Sequence, residues 1–488
     1  MIKSIPKEVK DVLQALTDAG FEAYIVGGCV RDLSVSRVPK DWDITTNAKP
    51  DEVQEIFPDS FYENDFGTVG VKVDPFLPIG KKDREHDVVE VTTYRIESTY
   101  TDKRRPDDVK FAKTLEEDLS RRDFTMNALA IKVENETNEI VDLFGGREDI
   151  KNKLICAVGN PIKRFGEDAL RMMRAVRLGA ELNFTIEDKT FEAIKQKNYL
   201  LTHVSIERIK DEFVKIIMSD HPRHGVQMLH DTGLLQHFLP ELEEGIGVEQ
   251  NHHHTLTVWE HNLQALEKCP SKKLEVRLAT LFHDIGKPKS KRGKGRDCTF
   301  YNHEYISARM TKTIMKRLHF PTKVTQKTVL LVKNHMFYYS VDEVSEAAVR
   351  RIIKKVGLEN MKDLMDVRIG DRLGSGTPKA KPYKLRHFEY IVEKVSKDPI
   401  SVKMLKLNGD IMINDLRFEP GPQIGAILNV LLAEVIEDPS KNTLEYLSER
   451  ALSLKDEDLS KLKNLAKEKI KEKQTEEEEN IKKKHWVK

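Results

Sequence analysis

The chain has 488 residues, which is too long for a single hydrophobic core, so we expect roughly three or four domains or subdomains. Its hydrophobic fraction of 39% is sufficient for buried cores and argues against intrinsic disorder. The 81 basic and 80 acidic side chains nearly cancel, so the overall charge indicates no polyanionic partner, and any nucleic-acid surface must be local.

Cysteine spacing and hydropathy indicate the compartment. The four cysteines are far apart and form no CxxC pair, which argues against a zinc ribbon or a disulfide framework and fits a reducing cytoplasm. The N-terminal segment lacks the apolar core of a signal peptide, and no window approaches about eighteen uninterrupted apolar residues. We therefore expect a cytoplasmic protein without a membrane segment.

The first part of the chain alternates strand and helix patterns. Apolar residues recur at helical spacing in residues 7–19, and EAYIVGG then predicts a short strand that ends in a glycine turn. Further strands are predicted from DWDITT, GTVGVKV, HDVVEVTTYR and ALAIKV, with one helix near residues 50–57. Residues 1–148 are therefore predicted to form a head built on a small mixed sheet, in an α+β fold.

The rest of the chain is dominated by long amphipathic runs such as EDALRMMRAVRLGAEL, which predict helices nearly to the end. We predict an all-α neck over residues 149–245, a histidine-rich domain over residues 246–378, and a helical C-terminal body with a charged tail over residues 379–488. The last boundary follows from SGTPKAKPYK, whose composition is typical of a linker. In the body, PGPQIGAILNVLLAEVI predicts a helix that begins after proline and carries its apolar residues on one face.

Two aspartates separated by one tryptophan stand in DWDITT. Side chains alternate along a strand, so Asp41 and Asp43 would point the same way while Trp42 and Ile44 face the buried side. Two carboxylates held this close repel each other unless a cation joins them, and hard oxygen ligands suit Mg²⁺. The alternative is an exposed strand edge whose aspartates are merely solvated.

The residues around the pair favour a nucleotide site. Gly27 and Gly28 end the preceding strand and allow backbone N–H groups to approach a phosphate, while Arg31 adds a positive charge nearby. A third carboxylate is predicted from HDVVEVTTYR, where Glu90 lies on the face opposite the buried valines and Asp87 is the alternative. Three acidic groups around metal ions can activate a hydroxyl and stabilise a leaving pyrophosphate, so the pattern predicts nucleotidyl transfer.

Five motifs, in this order, resemble those of the class II tRNA nucleotidyltransferases, the CCA-adding enzymes and their poly(A) polymerase relatives. GGCVRD with DWDITT resembles the metal and triphosphate motif, and EVTTYR resembles the strand that brings the third carboxylate. YTDKRRPDDVKF resembles the flexible catalytic loop. RRDFTMNALAI resembles the ribose and triphosphate motif, which implies nucleotide binding by Arg122, Asp123 and Asn127. FGEDALRMMRAVR resembles the motif that reads the incoming base.

One segment departs from the family's pattern. VDPFLPIGKKDREHD, residues 73–87, is longer than the usual link between the two strands that flank it. We interpret it as an insertion at a hairpin tip, which leaves the strand register before Glu90 open.

The last motif suggests how a protein can choose C and A. In EDALR, Asp168 and Arg171 are three residues apart on a predicted helix, so both would face a common ligand. Cytosine and adenine present an amino donor beside a ring-nitrogen acceptor, which suits Asp plus Arg, whereas guanine and uracil present the opposite pattern. Selection of CTP and ATP is therefore predicted without a template, and Arg174 either contacts phosphate or remains solvated. The alternative is an ordinary surface salt bridge.

A second motif set lies in the histidine-rich domain. TLFHDIGKP supplies His283 and Asp284, VWEHNLQAL supplies His261, and IGDRLGSG supplies Asp371. Imidazole with carboxylate suits Mn²⁺, Fe²⁺, Ni²⁺ or Mg²⁺, and the spacing across helices fits a bundle site better than a zinc finger. The set resembles an HD domain, a class that includes metal-dependent phosphohydrolases, with His303 and His335 as additional ligands. The alternatives are a site kept for structure and a domain that only grips RNA.

Two further segments have less specific patterns. GKPKSKRGKGR contains six basic residues among eleven, which predicts either contact with a tRNA backbone or a solvated loop. The run His252, His253 and His254 is interpreted as an exposed loop.

The resemblance implies an enzyme that adds CCA, or part of it, to the 3′ end of tRNA from CTP and ATP. Asp41 and Asp43 would bind Mg²⁺, Glu90 would assist them, and a second divalent metal would occupy the HD site. No protein partner is indicated. The alternatives are a poly(A) polymerase, an enzyme that adds only CC or only A, an HD phosphohydrolase with a nucleotide-binding head, and a non-enzymatic RNA-binding protein.

Overall fold

The fold is taken from a computed structural model that describes most of the chain. It describes residues 5–64, 67–75, 86–97, 109–134, 137–251, 255–341, 343–377, 379–396, 402–462, 475 and 478–487. Most of the predicted insertion, most of the predicted catalytic loop and all of His252, His253 and His254 lie outside the described residues.

The chain divides into two compact units. One unit consists of Met1–His335 and Asp366–Thr377, and the other of Met336–Met365 and Pro378–Lys488. The finer division into head, neck, HD domain and body, with boundaries after residues 148, 245 and 378, stays a prediction.

The first unit begins with a mixed α/β region. Its helices and strands are α1 Lys7–Asp18, β1 Ala23–Val26, α2 Gly28–Ser34, β2 Trp42–Thr46, α3 Pro50–Ile56, β3 Ser60–Asn64, β4 Thr68–Val73, β5 Asp87–Thr93, β6 Arg95–Glu97, β7 Val109–Phe111, α4 Leu115–Ser120, β8 Leu129–Glu134, β9 Thr137–Asp142, α5 Gly146–Asn152 and β10 Leu154–Ile155. A single 3₁₀ turn, Thr125–Asn127, precedes β8.

Seven of these strands form one mixed sheet, as predicted. Their order is β3-β4-β5-β2-β1-β8-β9, and only the β2–β5 pair in it is parallel. Trp42 and Ile44 are buried on one face of β2, and Val89 and Val91 are buried on the same face of β5. Because side chains alternate, this burial turns Asp43 and Glu90 to the opposite face.

The prediction of one helix after α1 in the head is wrong. Residues 50–57 do contain α3, but α2, α4 and α5 are present as well. Each of these three has only six or seven residues, which is fewer than two turns, so apolar periodicity cannot reveal them. The start of α4 is nevertheless encoded locally, because Thr114 and Glu117 form a capping box.

The rest of the first unit is helical, as predicted. Its elements are α6 Pro161–Glu167, α7 Leu170–Leu182, β11 Thr185–Ile186, α8 Asp188–Lys197, α9 Ile206–Met218, α10 Pro222–Asp231, α11 Pro240–Glu243, α12 Val258–Lys268, α13 Leu274–Phe282, α14 Lys287–Ser290, α15 His303–Arg317 and α16 Thr322–Asn334. The short strands β10 and β11 pair in parallel and connect the sheet region to these helices.

The second unit is also helical. Its elements are α17 Glu346–Val356, α18 Leu358–Gly374, α19 Tyr383–Ser396, α20 Gly409–Asn414, α21 Pro422–Glu437 and α22 Leu444–Ser453, of which α18 ends in the first unit. The predicted helix after proline is α21, and its predicted apolar face packs into a core with α22. None of the helices in the described ranges combines the length and the apolar character needed to cross a membrane.

Candidate functional site

Two carboxylates lie side by side on the sheet. The parallel pairing of β2 with β5 places Asp43 directly opposite Glu90, and Asp41 stands just before β2. Asp87 pairs with Val73 at the start of β5, so the register places Glu90 rather than Asp87 beside Asp43. The structure therefore brings Asp43 and Glu90 together, which the alternation of side chains predicted.

The acidic cluster is electrostatically strained. Burial, together with the charges of Asp41 and Glu63, raises the pKa of Asp43 above its usual range, although Arg122 opposes this shift. Burial and the neighbouring charges of Asp43, Glu63 and Asp41 raise the pKa of Glu90 to about 7. Carboxylates that repel one another in this way fit a site whose charge a divalent cation completes.

Glu63 was not anticipated from the sequence. It lies on β3 at the sheet edge and contributes to the raised pKa values of both Asp43 and Glu90. Among the described residues, no three carboxylates of this acidic cluster have oxygens within 4.8 Å of one another. The histidine site is more compact by the same measure.

The raised pKa of Glu90 predicts a pH-dependent stability. A carboxyl whose pKa rises from 4.5 to about 7 on folding binds more protons in the folded state, so its contribution becomes unfavourable as pH rises through this interval. In the presence of EDTA we expect Glu90→Gln to raise the melting temperature at pH 8 and to change it little at pH 4.5. Scanning calorimetry at both pH values checks this, and an equal effect at both would contradict it.

A glycine turn and an arginine border the acidic cluster. Gly27 has φ of 85°, and a Cβ added there would lie 3.0 Å from Arg122 Nη1 and 3.5 Å from Asp43 Oδ2. Any larger residue at position 27 would therefore be strained and would also press on both side chains. A Cβ at Gly28 would make only an ordinary contact of 3.6 Å with Arg31, so that position is less restricted.

Four of the predicted nucleotide-binding side chains form one hydrogen-bonded network. Arg31 Nη1 donates to Asn127 Oδ1 at 2.8 Å, and Asn127 Nδ2 donates to Asp123 Oδ1 at 3.0 Å. Arg174 Nε donates to the other oxygen of Asp123 at 2.7 Å. Burial alone would raise the pKa of Asp123, but Arg174 and Asn127 outweigh it and hold that pKa well below its usual range. Arg174 is therefore paired with a carboxylate rather than simply solvated.

Arg122 is held by a second carboxylate that was not anticipated. Asp118 is fully buried on α4 and accepts from Arg122 at 3.2 Å and from Arg121 at 2.7 Å. Burial opposes its ionisation, but the two guanidinium groups outweigh burial and lower the pKa of Asp118. The sequence signal was an aspartate four residues before Arg122, although Arg122 itself lies two residues beyond the end of α4.

The predicted base-reading pair is arranged differently from the prediction. Asp168 and Arg171 do not share a helix, because α6 ends at Glu167, Asp168 is extended and α7 begins at Leu170. Arg171 is buried and donates to Glu167 Oε2 at 2.9 Å and to the Arg121 carbonyl at 3.1 Å. The break at Asp168 interrupts the helical pattern that the apolar spacing suggested. Phe165, Leu170 and Met173 are buried, as expected of core residues.

Two hydrogen-bond donors other than Arg171 orient the Asp168 carboxylate. The Leu170 backbone N–H donates to Asp168 Oδ1 at 2.9 Å, and Arg208 Nη2 of α9 donates to Oδ2 at 2.9 Å. The side chains of Asp168 and Arg208 are 18% and 29% exposed, so this ion pair is partly shielded from water.

The histidine-rich segment forms two adjacent groups of ligand atoms. One group is His261, His283 and Asp371, and the other is Asp284, His303 and His335, each with its ligand atoms within 4.8 Å of one another. Asp284 joins them, because its Oδ2 lies 3.3 Å from both His261 Nε2 and His283 Nε2 while its Oδ1 lies 3.1 Å from His303 Nε2. All six residues are fully or almost fully buried.

Three of the four histidines are oriented in the same way by the ends of helices. His283, His303 and His335 each direct Nδ1 to the backbone carbonyl three residues earlier, at 2.7, 2.8 and 2.7 Å. A carbonyl can only accept, so Nδ1 carries a proton in all three, and a neutral imidazole then directs the lone pair of Nε2 toward the centre. His283 differs, because burial, which would lower its pKa, is outweighed by Asp284 and Asp371, which raise that pKa to about 10, and its Nε2 lies 3.0 Å from His261 Nε2. Nε2 of His303, Nε2 of His335 and Oδ1 of Asp284 are buried without a hydrogen-bond partner in the described residues. All three orphaned atoms belong to the group of Asp284, His303 and His335, and together they fit one divalent cation.

Charge in this site is balanced by a lysine that was not anticipated. Lys287 Nζ is 2.5 Å from Asp284 Oδ2 and donates to Gln250 Oε1 at 2.6 Å. Burial disfavours ionisation of Asp284, but His283 and Lys287 outweigh it and hold its pKa well below the usual range. Burial lowers the pKa of His335, which favours the neutral imidazole that a metal ligand requires.

The basic segment GKPKSKRGKGR is partly engaged in contacts of its own. Besides Lys287, Lys289 pairs with Glu244 at 3.1 Å and Lys291 donates to the Glu249 carbonyl at 2.7 Å. Its contact with a tRNA backbone stays a prediction.

Three family descriptions match consecutive parts of the chain. They are "Poly A polymerase head domain" over residues 23–156, "Probable RNA and SrmB- binding site of polymerase A" over residues 183–246 and "HD domain" over residues 251–373. Head domains of this kind and HD domains usually use divalent metals.

Curated relatives match over about half of the chain. A CCA-adding enzyme of Lactobacillus helveticus is 51% identical over 234 residues, which are 48% of this chain and 54% of that protein. A CCA-adding enzyme of Lactococcus lactis is 44% identical over 247 residues, or 50% of this chain and 59% of that protein. The matches thus span little more than half the length of these relatives.

Solved structures are similar over most of the chain. The CCA-adding enzyme of Bacillus stearothermophilus, solved in complex with CTP, is 27% identical with a TM-score of 0.58, and the match covers 92% of this chain and 96% of that one. A tRNA nucleotidyltransferase complexed with a primer tRNA and an incoming ATP analog shares the fold at 20% identity and a TM-score of 0.55, over 79% and 98% of the two chains.

Proposed function

We propose that this chain, a member of the nucleotidyltransferase family that includes the CCA-adding enzymes and poly(A) polymerases, adds CCA to the 3′ end of tRNA from CTP and ATP. The observation that carries the proposal is the register of β2 with β5, which sets Asp43 beside Glu90 next to the Gly27 turn. Similarity to a CCA-adding enzyme solved with CTP supports the same reaction.

The acidic cluster would perform the chemistry. Asp41 and Asp43 would hold Mg²⁺, which when bound lowers the barrier to in-line attack by neutralising charge on the triphosphate. Glu90 would orient these two aspartates or accept the proton of the tRNA 3′ hydroxyl, for which a pKa of about 7 is well suited. The Gly27 turn would let backbone N–H groups approach the phosphates.

The surrounding network would bind the nucleotide. Arg122, which lies beside Gly27 and Asp43, would contact the triphosphate, and Arg31 would add charge nearby. Asp123 and Asn127 would bind the ribose, with Arg174 fixing Asp123. Asp168 and Arg171 would read the Watson–Crick edge of the base, accepting from the amino group and donating to the ring nitrogen.

The proposal is tested with purified protein, Mg²⁺ and three tRNA transcripts that end before CCA, after C and after CC. CTP and ATP are supplied separately and together, and product length is read on a sequencing gel. We expect each transcript to be completed to CCA and then to stop, and EDTA to abolish extension. A missing step would identify a CC- or A-adding enzyme, a long A ladder a poly(A) polymerase, and no extension at all would refute nucleotidyl transfer.

A second candidate function is favoured by the orphaned ligand atoms of the HD site. Two groups of ligands joined by Asp284 are the arrangement that a two-cation phosphohydrolase requires, because one metal can activate water while both hold the phosphate. His261, His283, Asp284 and Asp371 would bind the first cation, and His303 with His335 would complete the second. Hydrolysis of p-nitrophenyl phosphate in the presence of Mn²⁺ or Ni²⁺ tests this activity independently of nucleotide addition.

A cytoplasmic location accompanies the proposal. All four cysteines are unpaired, which a reducing compartment explains.

A further inference from the structure

We propose that Phe61, on β3, binds the acceptor, the tRNA 3′ end, by stacking its ring on the terminal base. This inference rests on the proposed nucleotidyl transfer and goes beyond it, because no residue assigned above binds the base at the end of the tRNA. Phe61 is 39% exposed, which is high for a large apolar side chain beside an acidic cluster.

The first step concerns the row of side chains to which Phe61 belongs. Phe61 pairs with Gly70, and Gly70 pairs with Glu90. Glu90 in turn pairs with Asp43. Residues paired directly across neighbouring strands carry their side chains on the same face of a sheet. The ring therefore lies on the face that carries both carboxylates.

The second step concerns the two faces of the ring. A Cβ added at Gly70 would lie 2.6 Å from Phe61 Cζ and 3.0 Å from each of its two Cε atoms. Such nearly equal distances place the Cβ position above the face of the ring rather than beyond its edge, so the ring covers Gly70. One face of the ring is thus turned to the sheet, and the exposure of Phe61 leaves the other face open to a planar ligand.

The third step concerns the direction from which the acceptor enters. In the sheet order β3-β4-β5-β2-β1-β8-β9, Gly27 follows β1 and Asn127 precedes β8. Glu90 and Phe61 lie on β5 and β3, on the other side of β2. The attacking and leaving oxygens of a phosphoryl transfer are roughly in line. With the triphosphate on the β1 side of Asp43, the 3′ hydroxyl comes from the β5 side, which puts the terminal nucleotide toward Phe61.

The fourth step concerns reach and base preference. The ring covers Gly70 on β4, which is two strands from β2, or about 10 Å at about 4.8 Å per strand, and one nucleotide can span this distance. Every base has a π-face, so stacking tolerates the change of terminal base from the nucleotide before CCA to the first and the second C. A single ring can therefore hold the acceptor at each addition.

The experiment compares wild type, Phe61→Leu and Phe61→Trp in addition of A to transcripts that end after CC with a normal or an abasic terminal nucleotide. Removal of the base should lower kcat/KM for the acceptor about tenfold in wild type and in Phe61→Trp, as expected for one stacked base. Phe61→Leu should be about tenfold slower on the normal transcript and lose little more on the abasic one, with KM for ATP unchanged. An equal effect of base removal in wild type and Phe61→Leu, or a wild-type rate of Phe61→Leu on the normal transcript, would overturn the proposal.

A matched control separates base stacking from stability. Packing of an aromatic ring over glycine also stabilises a sheet, so the melting temperature of Phe61→Leu should fall, but lost stability alone would slow addition to both transcripts equally. Tyr62 is the next residue on β3, is 48% exposed and pairs with Val69 on the opposite face. Tyr62→Leu should keep the wild-type dependence on the terminal base. Loss of this dependence in Tyr62→Leu as well would show that the effect belongs to the strand and would refute the role of Phe61.

Binding without turnover distinguishes failure of this inference from failure of the proposed function. Filter binding measures the Kd of the same two transcripts even if wild type extends neither. Tighter binding of the normal than of the abasic transcript by wild type, but not by Phe61→Leu, supports the inference in either case. Equal Kd values of wild type for the two transcripts, in a protein that extends neither, would overturn it.

Discussion

Asp43→Asn is expected to reduce kcat for nucleotide addition by at least about 10³-fold, since loss of a metal ligand removes several kcal/mol of transition-state stabilisation and each 1.36 kcal/mol is tenfold. Asparagine has nearly the same shape, so the hydrogen-bonding geometry of β2 with β5 should persist. The pKa of Asp43 is raised by burial and by Asp41 and Glu63, which means that its ionised form destabilises the fold at neutral pH. The melting temperature of Asp43→Asn should therefore stay equal to that of wild type or increase.

The combination of lost activity and retained stability is the diagnostic result. Single-turnover extension of a tRNA transcript that ends before CCA measures the rate, and scanning calorimetry in EDTA measures stability. Asp51→Asn is the matched control, because Asp51 is exposed on α3 of the same region. Its rate should be that of wild type. If Asp43→Asn kept more than about a tenth of the wild-type rate, the lost transition-state stabilisation would be less than about 1.4 kcal/mol. That loss is too small for a metal ligand and would contradict the role of Asp43.

The head site could be predicted well because it depends on the local geometry of two strands. Alternation of side chains places Asp43 and Glu90 opposite to the buried Ile44 and Val91, and this follows from a period of two alone. Glu63 could not be found in the same way, because its approach depends on how β3 pairs with β4 across a bulge. Strand pairing is non-local, and nothing in SFYEN itself sets it.

The base-reading pair shows the limit of helical periodicity. Residues 167–182, EDALRMMRAVRLGAEL, have the pattern of one amphipathic helix, yet Asp168 is extended and the helix begins only at Leu170. The Arg171 N–H donates to the Asp168 carbonyl at 3.1 Å, so the two residues are neighbours in the backbone although Asp168 lies outside the helix. Their side chains have other partners. Their actual partners, Arg208 and Glu167, depend on packing of α9 and on the end of α6.

The histidine site was predictable in its composition but not in its grouping. HD, an upstream histidine and a downstream aspartate predicted four of the six side chains that the structure brings together, and His303 and His335 were anticipated as the other two. The division into two groups about Asp284 requires the ends of α13, α15 and α16 to meet, which is a tertiary property. Lys287 was read only as part of a basic segment, whereas it is buried against Asp284.

Asp284→Asn is expected to abolish binding of divalent metal at the HD site while nucleotide addition proceeds as in wild type. Asp284 offers one oxygen to each group of ligands, so its loss removes a ligand from both. Changes to groups that merely support metal ligands cost about 10- to 100-fold in affinity, and removal of a shared ligand should cost at least the upper end of this range. Bound metal is counted by inductively coupled plasma mass spectrometry after chelation, reloading with Mn²⁺ and desalting. Asp231→Asn, an exposed aspartate on α10, is the control and should bind as wild type does.

His335→Gln tests the same site but keeps the Asp284 carboxylate, which Lys287 and His283 both contact. Its imidazole belongs only to the group with His303, so one bound ion should remain where wild type holds two. Because metal that binds only the folded state stabilises it, added Mn²⁺ should raise the melting temperature of wild type more than that of His335→Gln, and least for Asp284→Asn. Equal metal content and equal thermal shifts in all three proteins would contradict a metal site formed by these residues. Loss of tRNA extension in a folded, metal-depleted His335→Gln would instead show that the two sites are coupled, contrary to their assignment as separate centres.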